Sequence, residues 1–379
     1  MRPDVVSLTE HLVSIDSAPG CPTLPVVGVL AENLTALGAS VHLQEGVHEG
    51  VPQRNLVARL GGDGPAGLVL AGHIDTVPWS ANARATTAPE RDGSRLYGRG
   101  TADMKGAVAA QVEAAAQMVE RLRRPLVLAW TYAEEVGCHG ALQLVNESAL
   151  MGDISEAVCM VGEPTDLAPI VGHKGYGGVR IQLHGEAAHS SDPWAGADAS
   201  QALGTLLRDL HELRETLRQN APLSTVHDPP CTTINTGLVR AGAARNLVPP
   251  HASVEVEFRP VPGADIQELQ NRIQACVDLA CASAPGVHCE VDWEVCHPAF
   301  DQSPSAQVVE WLVERTGKAP SAVPFYTEAE FYRAGFEIPT VVCGPGSIQQ
   351  AHRVDEWISF EALGEGQDLY RQAVEEYCC

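Results

Sequence analysis

Long apolar runs are missing from this chain: no stretch of its 379 residues approaches the ~20 needed to cross a bilayer. A chain that does not enter a membrane is expected. Basic residues are scarce, with 25 against 48 acidic ones and a formal charge of −23, and such a field repels nucleic acid and anionic lipid surfaces. Neither is an expected partner. The eleven cysteines include no C-x-x-C pair, which argues against a structural zinc module and fits a reducing, cytoplasmic setting. Cys378-Cys379 reads as a frayed tail. There is no G-x-S-x-G elbow, and no cysteine has an activating sequence context, so a serine or cysteine nucleophile is not expected. Residues 1–16 read as a charge-interrupted amphipathic helix without the basic flank and apolar core of an export signal.

What the chain does have is a set of acids and histidines beside glycines, at the ends of apolar β-type runs. The run 67–72 (GLVLAG) ends in His73-Ile74-Asp75. Strand side chains alternate, so Asp75 falls on the same side as His73 and could fix the tautomer of a metal-bound imidazole. In 98–106 (GRGTADMKG) three glycines surround Asp103 before an Ala-rich helical stretch. A helix cap would not need so many glycines, which favours a ligand. The run 126–132 delivers Glu134 and Glu135. Neighbouring strand positions face opposite ways, so one acid is free to bind metal and the other to move a proton. The run 157–161 leads to Glu163, and 341–343 leads through a Gly-Pro-Gly loop to His352. In open α/β sheets ligands gather beyond the carboxyl ends of strands, an address that three of these clusters share. Five donors, His73, Asp103, Glu135, Glu163 and His352, are too many for one closed tetrahedral site. They suit two metals sharing a carboxylate, and that points to a hydrolase.

The 45% hydrophobic content and the length allow two domains. Helical and strand-like segments alternate to residue 173, with helices predicted over 5–15, 25–37 and 104–123. The expected class is α/β, a mostly parallel sheet between helical layers. After His173 the rhythm changes: strand 178–184, helix 200–218, strands 232–239 and 253–258, helix 265–282, strand 287–295. That is the ferredoxin-like split β-α-β-β-α-β order. The boundaries expected are 1–174 and 298–379 for a catalytic domain, with 175–297 inserted.

The segments GHIDTVP, YGRGTADMKG, AEEVG, GEPT, HKG, AHSSDP, FRPVPG and GPGSIQQAH, running in order from residue 72 to residue 352, resemble the acetylornithine deacetylase and succinyl-diaminopimelate desuccinylase family of two-zinc amidohydrolases. The resemblance implies two zinc ions, with cobalt or manganese able to take the same ligands. One ion falls to His73 and Glu163, the other to Glu135 and His352, with Asp103 bridging. It implies Asp75 as the orienting acid and Glu134 as general base, taking a proton from a water between the cations and passing it to the departing amine. It gives the insertion a role as a lid and in homodimerisation, with His189 reaching across the dimer to the oxyanion. Asn246 and Arg259 resemble positions that hold a substrate carboxylate, and Lys174 and Gly346 are further candidates.

Tyr326-Thr327-Glu328-Ala329 resembles the acetylornithine branch, with Glu328 or Glu330 available to a substrate ammonium. Glu330 stands where a Pro is common, which opens the way to a neutral ureido side chain. The implied activity is hydrolysis of an N-acetyl amino acid, N-acetylornithine to ornithine and acetate in arginine synthesis. Acetylcitrulline deacetylase, desuccinylase and a broader aminoacylase or dipeptidase are the alternatives. A binding protein that kept the scaffold without catalysis should have lost the base, whereas Glu134 is present with all five ligands.

Overall fold

The structure, a computed structural model, describes residues 4–80, 88–220, 224 and 226–379. The first three residues of the expected amino-terminal helix lie outside these; the helix itself runs Val5–Val13, with the Asp4 carboxylate accepting from the Ser7 backbone N–H.

The chain divides into two compact units, one of residues 1–171, 301–321 and 327–379, the other of 172–300 and 322–326. The first is built on a sheet in which Ser40–His48, Val51–Leu60, Leu126–Thr131, Leu68–His73, Val158–Pro164 and Thr340–Gly344 lie side by side in that order. The last four are mutually parallel. Every residue of these four strands is buried, as befits parallel strands covered on both faces. The first two form an antiparallel hairpin that joins the sheet through Val51–Leu60. Register sets the positions that matter for function. Leu68–His73 pairs residue for residue with Leu126–Thr131, so His73 and Thr131 leave the sheet level with each other.

The Ala-rich helix Lys105–Met118 is buried along most of its length. Its small side chains let it sit inside one apolar core with residues of Val5–Val13 and Phe360–Cys378. It is shorter than the expected 104–123, because a 3-10 turn, Val119–Arg121, takes over at its end. Cys378 corrects the reading of a frayed tail. It closes the helix Phe360–Cys378, is 1% exposed, and belongs to the core with Leu363, Leu369, Tyr370, Ala373 and Val374.

In the second unit the order is strand Gly177–His184, helix Ala199–Asn220, strands Thr233–Ala241 and His251–Arg259, helix Ile266–Ser283 and strand His288–Trp293. The four strands form an antiparallel sheet in which the first and third are central neighbours, the ferredoxin-like arrangement. One face packs on the helices through Val179, Ile181, Val254, Val256, Leu206 and Ile273. Cys281 and Cys289 are joined as a disulfide, unlike the wholly reduced set expected. The helix end and the strand start bring their Cα atoms to 6.4 Å, inside the reach of such a bond. Among the described residues no helix is long and apolar enough to cross a membrane.

Candidate metal centre

Beyond the carboxyl ends of the parallel strands, two groups of donors form around one shared acid: His73, Asp103 and Glu163, and Asp103, Glu135 and His352. Within each group the ligand atoms lie within 4.8 Å of one another. Asp103 turns Oδ1 to His73 Nε2 at 3.1 Å and Oδ2 to His352 Nε2 at 3.4 Å. Glu163 Oε1 is 3.8 Å from His73 Nε2, and Glu135 Oε2 is 3.0 Å from His352 Nε2. The five residues singled out by sequence meet at one place.

Each position has a local cause. His73 is the last residue of its strand, and its Nδ1 lies 3.0 Å from the backbone carbonyl of Asp75. An Nδ1–H donating there leaves the Nε2 lone pair for a cation. The Asp75 carboxylate is near, with Oδ1 at 3.6 Å, but its hydrogen bonds go elsewhere. It accepts from the backbone N–H groups of Glu134 at 3.1 Å and Glu135 at 3.2 Å. Asp75 therefore ties the His73 strand end to the loop carrying both glutamates.

Those glutamates are not strand neighbours, which corrects the alternation argument. The strand stops at Thr131, and Ala133 has φ +53°, so the chain is already turning. The division of labour holds for another reason: Glu135 meets His352, while the Glu134 carboxylate receives the Cys138 thiol, with Sγ 3.6 Å from Oε1.

Asp103 is not a helix cap; the helix begins at Lys105 with no side-chain cap at Met104, and the Asp103–Met104 peptide is cis. What holds its loop is Glu356, a residue the sequence reading passed over. Glu356 Oε1 accepts from the backbone N–H groups of Gly100, Ala102 and Asp103 at 3.0, 2.9 and 3.1 Å. Its Oε2 accepts from Arg99 Nη1 at 2.6 Å. Trp357–Ser359 pairs with Arg95–Tyr97, which is how Glu356 arrives there. Gly100 sits at φ +87°, and a Cβ on it would come within 2.8 Å of Thr76 Cγ2, so this turn requires glycine.

Burial pushes the Glu134 and Glu163 carboxyls well above the usual carboxylate range. Burial and the Asp103 charge raise Glu135. For Asp103 burial acts upward too, but the two imidazoles outweigh it and hold the acid far below its usual value. Side-chain contacts with Asp103 and Glu135 lift His352 to about 10. Four acidic side chains face two imidazoles, and carboxylate-imidazole donors in two groups of three fit divalent cations that would balance the surplus negative charge.

The other expected residues are distributed through the two units. In the first, Thr327 is fully buried, and its Oγ1 accepts from the Ala329 N–H at 3.2 Å. Glu328 is fully buried, with Oε2 accepting from Thr131 Oγ1 at 2.5 Å. Burial raises its carboxyl to about 7, and it presents no oxygen to solvent in this conformation. Glu330, 8% exposed, is likewise raised to about 7 by burial. Gly346 has φ +82°. In the second unit His189 is exposed, with Nδ1 2.8 Å from Ser191 Oγ. Its loop lies against the one carrying Asn246, where the Ser190 N–H donates to the Asn246 carbonyl. Arg259 pairs with Glu257 at 2.8 Å and lies 4.9 Å from the Tyr176 ring centre. Lys174 is buried and donates to the Cys231 carbonyl at 2.9 Å.

Comparison with known proteins follows the same lines. The model of peptidase family M20/M25/M40 matches residues 69–376. An acetylornithine deacetylase from Myxococcus xanthus is 35% identical over 378 residues, 98% of this chain and 97% of its own. An M20 family metallo-carboxypeptidase from Sulfolobus solfataricus superposes with TM-score 0.77 at 16% identity over 99% of each chain. The YXEP protein of Bacillus subtilis, described as a dinuclear metal binding peptidase of the M20 family, superposes with TM-score 0.69 at 16% identity, over 98% of this chain and 97% of its own.

Proposed function

Since this chain belongs to peptidase family M20/M25/M40, we propose that it hydrolyses the amide bond of an N-acetyl amino acid, N2-acetyl-L-ornithine, to L-ornithine and acetate at a two-cation centre. The observation that carries this reading is Asp103, which directs one carboxylate oxygen into each group of donors. The full-length likeness to a protein named acetylornithine deacetylase supports the substrate.

His73 and Glu163 would hold one cation and Glu135 and His352 the other, with Asp103 common to both donor groups. Zinc suits these donors, and cobalt or manganese can replace it. When bound, the cations supply Lewis-acid polarisation of the amide carbonyl and of the attacking water. Glu134 takes the proton from that water and gives it to the leaving amine. Asp75 keeps the base in place by holding the Glu134 and Glu135 amides. By resemblance, Asn246, Arg259 and Lys174 receive the substrate carboxylate, Thr327, Glu328 and Gly346 line the side-chain end, and His189 acts on the oxyanion in a homodimer. A cytoplasmic place in arginine biosynthesis follows from the substrate.

One observation favours a second reading. The enclosed Glu328 carboxyl, raised to about 7, makes a weak partner for an ammonium, which leaves room for the neutral side chain of N-acetylcitrulline.

Hydrolysis of N-acetylornithine, N-acetylcitrulline and succinyl-diaminopimelate by the purified protein, with and without chelator, tests the proposal. Chelation should abolish turnover of the preferred acetyl substrate. Faster turnover of the succinyl compound than of either acetyl one would overturn the substrate assignment. Glu134→Gln should lower kcat on the order of 10²–10⁴-fold with cation content unchanged; full activity in that variant would remove Glu134 from its role.

A further inference from the structure

In the second unit, three histidines share one row of the antiparallel sheet. Backbone register places His184 opposite His251 on one neighbouring strand and opposite His288 on the other. All three stand on the face away from the helices, because Leu183, Ala252 and Cys289, next to them in sequence, pack with the apolar core. The ring centres of His184 and His251 are 5.5 Å apart, and those of His184 and His288 are 5.0 Å apart. Two imidazoles bound to one tetrahedral ion at about 2 Å have centres roughly 5 Å apart.

Several features argue against an incidental row of polar side chains. His184 Nε2 is shielded from solvent and has no hydrogen-bond partner among the described residues. The carboxylate oxygen recorded beside it, Glu290 Oε2, is 3.5 Å away. Glu290 is two residues beyond His288 and pairs with Gln182, so it belongs to the next row of the same face. His251 and His288 are exposed, and an ion would draw their rings out of the present edge-on and stacked contacts with His184. The outer two strands lie about 10 Å apart, and an imidazole reaches an ion roughly 6 Å from its own Cα, so one ion can be met from both sides.

A hollow of about 260 Å³ opens beside His184 and His251, with Gln182, Ser253 and Arg240 also in its lining and His288 and Glu290 outside it. Arg240 pairs with Ser253 from the strand beyond His251, on the far side from His184 and His288.

We propose that His184, His251 and His288, with Glu290 as fourth donor, form a binding site for one borderline transition-metal ion of the Zn²⁺ or Ni²⁺ class. Imidazole-rich sites with a single carboxylate suit these ions rather than Ca²⁺ or Mg²⁺. The site lies wholly within the second unit and is independent of the hydrolytic reading. An ion there joins three adjacent strands of the sheet.

The test is equilibrium dialysis of the full chain against Zn²⁺, and separately Ni²⁺, followed by elemental analysis of protein and His184→Ala variant side by side. The parent should retain one more ion per chain than the variant, whatever the number held elsewhere, and the two should hydrolyse substrate within about twofold of each other. His251→Ala and His288→Ala, at exposed positions, should each weaken uptake of that extra ion at least tenfold, which covers a His184 variant that fails to fold. With Cu²⁺ as probe, the electron paramagnetic spectrum of the parent should show one more copper signal with nitrogen hyperfine structure than that of the His184 variant, beyond any signal that His73 and His352 give in both. Equal ion content in the parent and all three variants overturns the site.

Discussion

The two halves of the candidate centre share Asp103 but differ in what surrounds them. His73 and Glu163 are side chains of strand-end residues, 1% and 5% exposed, in the part of the fold where every backbone position is set by the sheet. His352 sits in a loop at φ +59°, and its side chain is 55% exposed. An ion held by the first half would be enclosed by protein, and one held by the second would have a half-exposed ligand in His352. The difference teaches how a fixed sheet and a loop can divide a candidate metal centre. The buried half has its donors fixed by the sheet, and the open half leaves the His352 side chain accessible.

The shared acid is where that comparison breaks first. Asp103→Asn should release both ions and lower hydrolysis on the order of a thousandfold or more, because one neutral amide cannot serve two cations. Elemental analysis alongside a steady-state assay checks it. A variant that keeps one tightly held ion would show that the halves assemble separately.

Replacing the two histidines should then separate the halves. In chelated protein, His73→Ala leaves buried carboxyls without their counter-group and should cost about 3–5 kcal/mol of stability. His352→Ala, at a half-exposed position, should cost under about 1 kcal/mol while still losing an ion when metal is restored. Thermal melts with and without chelator distinguish these outcomes, and equal destabilisation by both would remove the contrast.

Much of this was legible in the chain because the donors stand at the ends of short apolar runs punctuated by glycine, and such runs can only be buried strands. The ferredoxin-like order was legible too, because His251–Arg259 and His288–Trp293 alternate cleanly and Ile266–Ser283 has one apolar face, although Thr233–Ala241 is exposed over most of its length. Glu356 was not. It is a single acid before Trp357, with no periodic or glycine signal, and its role depends on strand pairing between Trp357–Ser359 and Arg95–Tyr97. Cys378 was misjudged from its place at the end of the sequence, although Leu363, Gly366, Leu369, Tyr370, Ala373, Val374 and Cys378 mark one continuous helical face. The Glu134-Glu135 pair was assigned different tasks on a strand geometry that does not exist there; the turn at Ala133 does that work instead. The contact of Cys138 with Glu134 carried no sequence signal beyond proximity.

Glu356 offers a way to disturb the shared ligand without touching it. Glu356→Gln leaves the Arg99 guanidinium, paired at 2.6 Å and 8% exposed, without its counter-charge and should cost about 3 kcal/mol. The loosened Gly100–Asp103 turn should lower kcat roughly tenfold or more through misplacement of Asp103, with KM less affected. A stable variant with parental kcat would mean the turn holds itself.

A pH-dependent effect concerns Glu328, which accepts from Thr131 at the level of His73. Glu328 is fully enclosed, and burial raises its carboxyl from 4.5 to about 7. A carboxyl raised on folding favours the folded state in its protonated form. Its contribution is therefore fully present below about pH 4.5 and is lost as pH rises through 7. Glu328→Gln cannot ionise, and its amide oxygen can still accept from Thr131. Between pH 5 and pH 8, the stability difference between variant and parent should move in the variant's favour by up to about 3 kcal/mol, read from denaturant melts at both values. A gap that stays constant across that range would mean Glu328 ionises as freely in the folded chain as in the unfolded one, and the weak-partner argument for a neutral substrate side chain would go with it.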